Sequence, residues 1–166
     1  MPKEMKLSGL AIDPFTSVPI VILKDLEEKD TVPIWIGLLE ASAIASVVED
    51  IKFARPMTHD LFVNILKEIG ATISKIVIND LKNNTYYAII YLSIGGKEYQ
   101  IDSRPSDAIA IALRHKSKIF MEESVIERSK KIELTKPDDV SSEEAKKKWA
   151  EILENLDPED FGKYKM

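Results

Sequence analysis

The chain has 166 residues, of which 45% are hydrophobic and 31% are charged, a composition typical of one folded domain and unlike that of a disordered chain. It has no cysteine, which excludes disulfides, thiolate metal sites and a cysteine nucleophile. The net charge of −5 argues against nucleic-acid binding through overall charge, so any such binding needs a local basic patch.

The N-terminal segment (MPKEMKLSGLAI) has no long apolar run of the kind found in secretory signal peptides. No later apolar run approaches the length needed to span a membrane. We therefore expect a soluble, cytoplasmic protein with no membrane contact.

The first part of the chain predicts three strands followed by a helix. The strands are expected at residues 6–13, 18–23 and 31–36. Pro33 indicates an edge position or the first part of a strand, because proline cannot donate a ladder hydrogen bond. Small and aliphatic residues at 38–53 then predict a helix with Glu40 in its first turn.

The second part repeats this order. Strands are expected at residues 74–79, 85–94 and 97–102, and an alanine-rich helix follows. An offset of about 65 residues aligns Ile36 with Ile101 and Ala45 with Ala110. The fold class predicted is therefore α+β, with duplicated β-β-β-α units at residues 6–52 and 74–116 that form one mostly antiparallel, barrel-like sheet with flanking helices.

Polar groups are concentrated at residues 102–107 (DSRPSD), where the last strand passes into its helix. Each of these residues also has a structural explanation, since Asp102 or Ser103 can be an ordinary N-cap of that helix and Pro105 suits its first turn. A helix start presents unpaired N–H groups and the positive end of the dipole, which can hold a phosphate or a carboxylate. Arg104 would add a bidentate donor there.

A second polar helix start lies between the two copies, at Arg55–Leu61 (RPMTHDL). Thr58 is the predicted N-cap and Asp60 a first-turn acid. His59 is placed to serve as a general base or a metal ligand, although a histidine in such a place is often only a solvated surface residue. His115 is expected to be a cation at a helix end. We expect the two helix starts to converge on one concave surface, with Arg55 or Arg104 paired with a carboxylate.

Three ordered motifs carry a family resemblance: PIWIGLLEASAIA at 33–45, RPMTHDL at 55–61 and IDSRPSDAIAIALR at 101–114. Over roughly residues 6–126 the chain resembles the bifunctional nuclease domain family, whose plant members are described as acting on both DNA and RNA. The resemblance implies a compact α+β domain with a duplicated, barrel-like sheet. It also implies a polar surface, in which the catalytic candidates are Glu40, His59, Asp60, Asp102 and Asp107 and the phosphate-binding candidates are Arg55, Thr58, Arg104 and Ser106.

Two functions are open at this point. In the first, a nuclease, Asp102 and Asp107, with Glu40 or Asp60 as a further candidate ligand, hold Mg²⁺ or Mn²⁺. His59 activates water. Arg55 or Arg104 then stabilises the charge that develops on the phosphate. In the second, a non-catalytic module, the same arginines bind an anion or a partner's carboxylate, and the acids only orient them.

The chain after the duplicated region is less informative. A short strand at 117–121 and a short helix are expected to complete a domain at residues 1–128. Residues 129–166 then form a charged linker and a C-terminal helix, which begins near Ser141. Long apolar strands and an alanine-rich helix favour a homo-oligomer, most simply a two-fold dimer.

Overall fold

The computed structural model describes residues 1–133. They form seven strands and four helices: β1 Lys3–Ile12, β2 Pro19–Asp25, β3 Thr31–Trp35, α1 Leu38–Val48, α2 Thr58–Glu68, β4 Ala71–Lys82, β5 Thr85–Ile94, β6 Lys97–Ser103, α3 Pro105–His115, β7 Lys118–Met121 and α4 Glu123–Glu133. α4 spans the boundary predicted at residue 128, and the predicted helix near Ser141 lies outside the described residues. Within residues 1–133 no helix is long and apolar enough to cross a membrane.

All seven strands share one sheet in the order β3-β2-β1-β7-β4-β5-β6. Every neighbouring pair is antiparallel except β4 and β7, which are parallel. The predicted α+β class and the single, mostly antiparallel sheet are therefore confirmed. Each predicted unit is a three-stranded meander followed by a helix, and the two meanders flank β7 with opposite strand directions. This arrangement is what a pseudo-two-fold axis through the sheet would give.

The sheet is open, with β3 and β6 as its edges, but it is strongly curved. The Tyr86 hydroxyl of β5 donates a hydrogen bond of 3.3 Å to the Pro33 carbonyl of β3. Four strands separate β3 from β5, so a flat sheet would hold them about 24 Å apart. The sheet is therefore curved like part of a barrel, but it is not closed. Pro33 lies in β3, which is an edge strand, as predicted.

The core lies on the concave face of the sheet, against α3. Alternate strand residues such as Val21, Leu23, Ile76 and Ile78 are fully buried there. The central part of α3, Ala108–Ala112, is also buried. Its alanines keep this helix thin, which lets α1 and α2 pack on it closely from two sides. α3 is thus the element on which the other helix starts converge.

Three local predictions about helix ends are wrong. The N-cap of α2 is Met57 and not Thr58. The N-cap of α3 is Arg104 and not Asp102 or Ser103. At the start of α2 the Asp60 carboxylate accepts from the Met57 backbone N–H, whereas the N-cap of α3 makes no side-chain cap hydrogen bond.

α1 ends at Val48 and does not continue to residue 53. Asp50 adopts a left-handed conformation with φ 51°. Its N–H bonds to the Val47 carbonyl, and the Ile51 N–H bonds to the Ser46 carbonyl. This pair of hydrogen bonds is a Schellman motif, which terminates a helix by satisfying its last carbonyls.

Candidate functional site

Four charged or titratable side chains from the first turns of α1, α2 and α3 form a continuous chain of contacts. Arg104 donates from Nε to Asp107 Oδ2 and from Nη1 to Glu40 Oε1, both at 2.8 Å. The second oxygen of Asp107, Oδ1, lies 2.9 Å from His59 Nε2. We call Glu40, His59, Arg104 and Asp107 the Asp107 cluster. As the sequence predicted, Arg104 pairs with a carboxylate and the two helix starts meet.

The carboxylate of Asp107 is the centre of this cluster and is ionised at neutral pH. Burial by itself raises the pKa of Asp107, but the hydrogen bonds and positive charge of Arg104, together with the contact with His59, outweigh burial and hold the pKa below its ordinary value of 3.8. An ionised carboxylate only accepts hydrogen bonds, so His59 Nε2 must carry the proton that points at it. The neutral imidazole then has its lone pair on Nδ1.

Glu40 is held by the start of its own helix. Its own backbone N–H, followed by the Arg104 guanidinium, lowers the pKa of Glu40 below the ordinary value of 4.5. The carboxylate folds back over Gly37, where a Cβ would overlap Glu40 Oε2. Glycine at this position therefore leaves room for the carboxylate to reach Arg104.

A second set of polar contacts joins the same three helices at the far end of α3. Arg114 Nε donates to Asp60 Oδ1 at 2.7 Å, and Asp60 Oδ2 accepts from the Met57 backbone N–H at 3.1 Å. Arg114 Nη2 reaches α1, where it donates to the Ala43 carbonyl at 2.9 Å and to Ser46 Oγ at 3.3 Å. Asp60 is thus a structural neighbour of His59 and lies outside the Asp107 cluster.

Four other predicted site residues do not join the Asp107 cluster. Asp102 and Arg55 are exposed and make no side-chain hydrogen bond or ion pair with the side chains that the structure describes. Thr58 is exposed at the first position of α2, and Ser106 is buried in the first turn of α3.

Strand alternation explains the position of Asp102. Asp102 pairs with Ile89 in the β5–β6 ladder, whereas its neighbour Ile101 pairs with Ile90, which belongs to the core. Successive strand residues point to opposite faces of a sheet, so the Asp102 side chain leaves the face that α3 covers. The structure therefore does not bring Asp102 together with Asp107.

Arg114 also belongs to the site, although it was not predicted from the sequence. It lies ten residues after Arg104 and seven after Asp107, so all three share one side of α3. This spacing was the available signal. A basic residue in the last turn of a helix ordinarily interacts with the helix dipole. From the sequence, Arg114 therefore looked like such a residue and not like a buried ion-pair partner.

A comparison with known protein families shows which family the chain belongs to. Residues 21–133, more than half of the chain, match the family model described as the bifunctional nuclease domain. The chain belongs to the bifunctional nuclease domain family. The match includes all four members of the Asp107 cluster and both residues of the Arg114–Asp60 pair, so the contacts described above lie within the family domain.

This bifunctional nuclease domain protein is similar to proteins of Mycobacterium tuberculosis. Two proteins, one in each of two strains, are 30% identical to the chain over 162 residues. The aligned segment covers 95% of this chain and 97% of each relative. Both relatives are described as uncharacterised, so the similarity extends along nearly the whole sequence and assigns no activity.

The donor set of this family member does not fit the divalent-metal site expected at Asp102 and Asp107. Both oxygens of Asp107 are already bound, one by His59 and one by Arg104. In the part of the chain that the structure describes, no group of three or more His, Asp or Glu side chains is placed to hold a metal ion. Hard cations such as Mg²⁺ need several free oxygen ligands, which this arrangement does not supply.

Proposed function

We propose that this protein is a nuclease that hydrolyses phosphodiester bonds in DNA and RNA, with His59 as the general base. The observation that carries the proposal is the 2.9 Å contact between His59 Nε2 and Asp107 Oδ1. A carboxylate that accepts from one ring nitrogen fixes the tautomer and leaves the other nitrogen free to take a proton. Within residues 1–133, Nδ1 of His59 has no hydrogen-bond partner.

His59 can still be reached by a small reactant. Its side chain is 18% exposed, so part of it is in contact with solvent. In the proposed step Nδ1 removes a proton from a water molecule as the water oxygen bonds to phosphorus. The bond from phosphorus to the leaving oxygen of the nucleic acid breaks, and that oxygen takes up a proton from solvent. The imidazolium that results is stabilised by the adjacent Asp107 carboxylate.

The arginines supply the positive charge that a phosphate requires. Arg104 is 62% exposed, but Glu40 and Asp107 offset its charge. The Asp107 cluster therefore holds two anions and one cation while His59 is neutral. Arg55 precedes His59 by four residues and makes no ion pair within residues 1–133. We assign the first contact with the substrate phosphate to Arg55 and charge stabilisation during the reaction to Arg104.

The proposed step uses no Mg²⁺ or Mn²⁺, because the donor set does not fit such an ion. Cleavage that persists in EDTA is therefore expected. Cleavage abolished by EDTA and restored by Mn²⁺ would show that the metal ligands lie elsewhere or arrive with the substrate.

A second candidate function is a non-catalytic module that binds an anion or a partner's carboxylate. The observation in its favour is that both acids flanking Arg104 orient its guanidinium at 2.8 Å. In that role His59 completes the hydrogen bonding of Asp107 and moves no proton.

The two functions separate in a cleavage assay on labelled single- and double-stranded DNA and RNA, run with and without EDTA. The nuclease proposal predicts that His59→Ala lowers the cleavage rate about 10²- to 10⁴-fold while nucleic-acid binding remains. His59 is largely buried and bonded to a carboxylate, so this variant should also lose about 1–3 kcal/mol of stability.

Arg128→Met is the matched control. Arg128 joins α4 to the Asp80 carboxylate and the Leu81 carbonyl of β4, away from the Asp107 cluster. It should lose stability through the same kind of contact and keep full activity. Wild-type protein that binds nucleic acid but does not cleave it would favour the binding module.

A further inference from the structure

The side chain of Arg114 is only 8% exposed, and all three of its nitrogens are engaged. Nε donates to Asp60, Nη1 to the Ala110 carbonyl of its own helix at 3.0 Å, and Nη2 to the Ala43 carbonyl and Ser46 Oγ of α1. Asp60 is its only ion-pair partner within residues 1–133. A buried guanidinium with this set of contacts cannot touch a substrate, so any part it has in function must act through other residues.

The one charged partner of Arg114 among its contacts is the residue beside His59. Asp60 follows His59 in the first turn of α2, and its other oxygen holds the Met57 N–H at the helix start. The two neighbouring side chains diverge along α3, so that His59 meets Asp107 and Asp60 meets Arg114. Seven residues separate those two points, which is about 10 Å of helix.

Two attachment points fix the orientation of a helix start better than one does. With both contacts present, the first turn of α2 can neither rotate about its axis nor slide along α3 without breaking one of them. If the Arg114–Asp60 contact is broken, the His59–Asp107 contact becomes the only polar contact between the first turn of α2 and α3 within the described residues.

From this geometry we propose that Arg114 is a positioning residue. It holds the start of α2 so that His59 Nε2 keeps its hydrogen bond to Asp107 and Nδ1 keeps its free lone pair. The part of the proposal that concerns catalysis rests on the nuclease function proposed above, whereas the effect on the His59 ring does not. Lysine should not replace Arg114, because one ammonium cannot reach Asp60, Ala43 and Ser46 with the fixed fork of a guanidinium.

The test is proton–nitrogen correlation NMR of the two imidazole rings, at a pH where both are neutral, with the His59 signals assigned by their loss in His59→Gln. The wild type should show the Nε2–H tautomer of His59 alone. Arg114→Lys and Asp60→Asn should each give a mixture of both tautomers. Arg128→Met, which breaks a comparable arginine–carboxylate contact elsewhere, should keep the wild-type ring signals.

The kinetic readout is a separation of kcat from KM. If the wild type cleaves nucleic acid, Arg114→Lys should lower kcat about 10²-fold through a displaced base, with KM unchanged because Arg114 does not contact the substrate. An inactive wild type would refute the nuclease proposal but would leave the NMR result to decide the positioning role.

The positioning role is overturned if Arg114→Lys folds and keeps a single Nε2–H tautomer. Should Arg114→Lys fail to fold, Asp60→Asn decides in the same way, because it leaves an oxygen for the Met57 N–H and removes only the charged partner of Arg114.

Discussion

Replacing Asp107 by asparagine tests the centre of the cluster with almost no change in side-chain shape. The amide would place its oxygen toward Arg104 and its NH₂ group toward His59. His59 Nε2 must then accept a hydrogen bond, so the proton moves to Nδ1 and the free lone pair of the proposed base is lost. We expect the cleavage rate to fall about 10²- to 10⁴-fold, the contribution usual for a general base.

The stability change follows from the same contacts. The Arg104–Asp107 pair is exposed on the arginine side, so its loss costs about 0.2–1 kcal/mol. Exchanging a charged for a neutral hydrogen bond to His59 costs about 1 kcal/mol more. A total of about 1–2 kcal/mol corresponds to a drop in Tm of roughly 2–8 °C for a chain of this length.

The pH dependence of that stability difference gives a further check. The pKa of Asp107 in the folded protein lies below its ordinary value of 3.8, so its ionised form stabilises the fold fully above pH 3.8. This stabilisation is lost as the pH falls from 3.8 through the folded-state pKa. Thermal unfolding of wild type and Asp107→Asn should therefore differ at pH 7 and converge under acid conditions. Full cleavage activity in Asp107→Asn would refute the assignment of His59 as a base oriented by Asp107.

Three further predictions concern the surface around the cluster. Arg55→Ala should raise the KM for an oligonucleotide roughly tenfold, the loss of one charged hydrogen bond, while unfolding stability stays within about 0.5 kcal/mol; an unchanged KM would remove Arg55 from the site. Asp102→Ala should leave both cleavage and stability nearly unchanged, because Asp102 is exposed and makes no side-chain contact within residues 1–133, and a large loss of cleavage would restore it as a candidate. Light scattering should give a mass of about 38 kDa, twice the 18.8 kDa of one chain. The reason is that Leu61 and Ile65 form an exposed apolar stripe on α2, opposite its buried side, which a second copy could cover. A mass equal to that of one chain would contradict the proposed dimer.

The elements of the fold were predictable because local patterns and tertiary packing agree in them. α3 begins at Pro105 and is rich in alanine, and β5 was predicted at residues 85–94, as observed. The end of α1 was not predictable from periodicity alone. A left-handed Asp50 terminates that helix, and an aspartate in this conformation is uncommon enough that the apolar pattern argued for continuation.

The site was predictable only in part. Two polar helix starts suggested convergence, but the pairing of His59 with Asp107 joins residues 48 positions apart and depends on how α2 crosses α3. Asp102 looked equivalent to Asp107 in sequence, yet strand alternation turns it away from the helices. The buried role of Arg114 also depends on tertiary packing, because its partners come from α1 and α2.

The central claim is that Nδ1 of His59 takes a proton from the attacking water, and the most direct test is the cleavage rate of His59→Ala measured against added imidazole. A missing base can be supplied from solution when the rest of the site is intact. Without imidazole, His59→Ala should cleave at a rate at least about 100-fold below wild type, and the rate should rise as imidazole is added. Cleavage by His59→Ala at the wild-type rate without imidazole would contradict the role of His59 as the base.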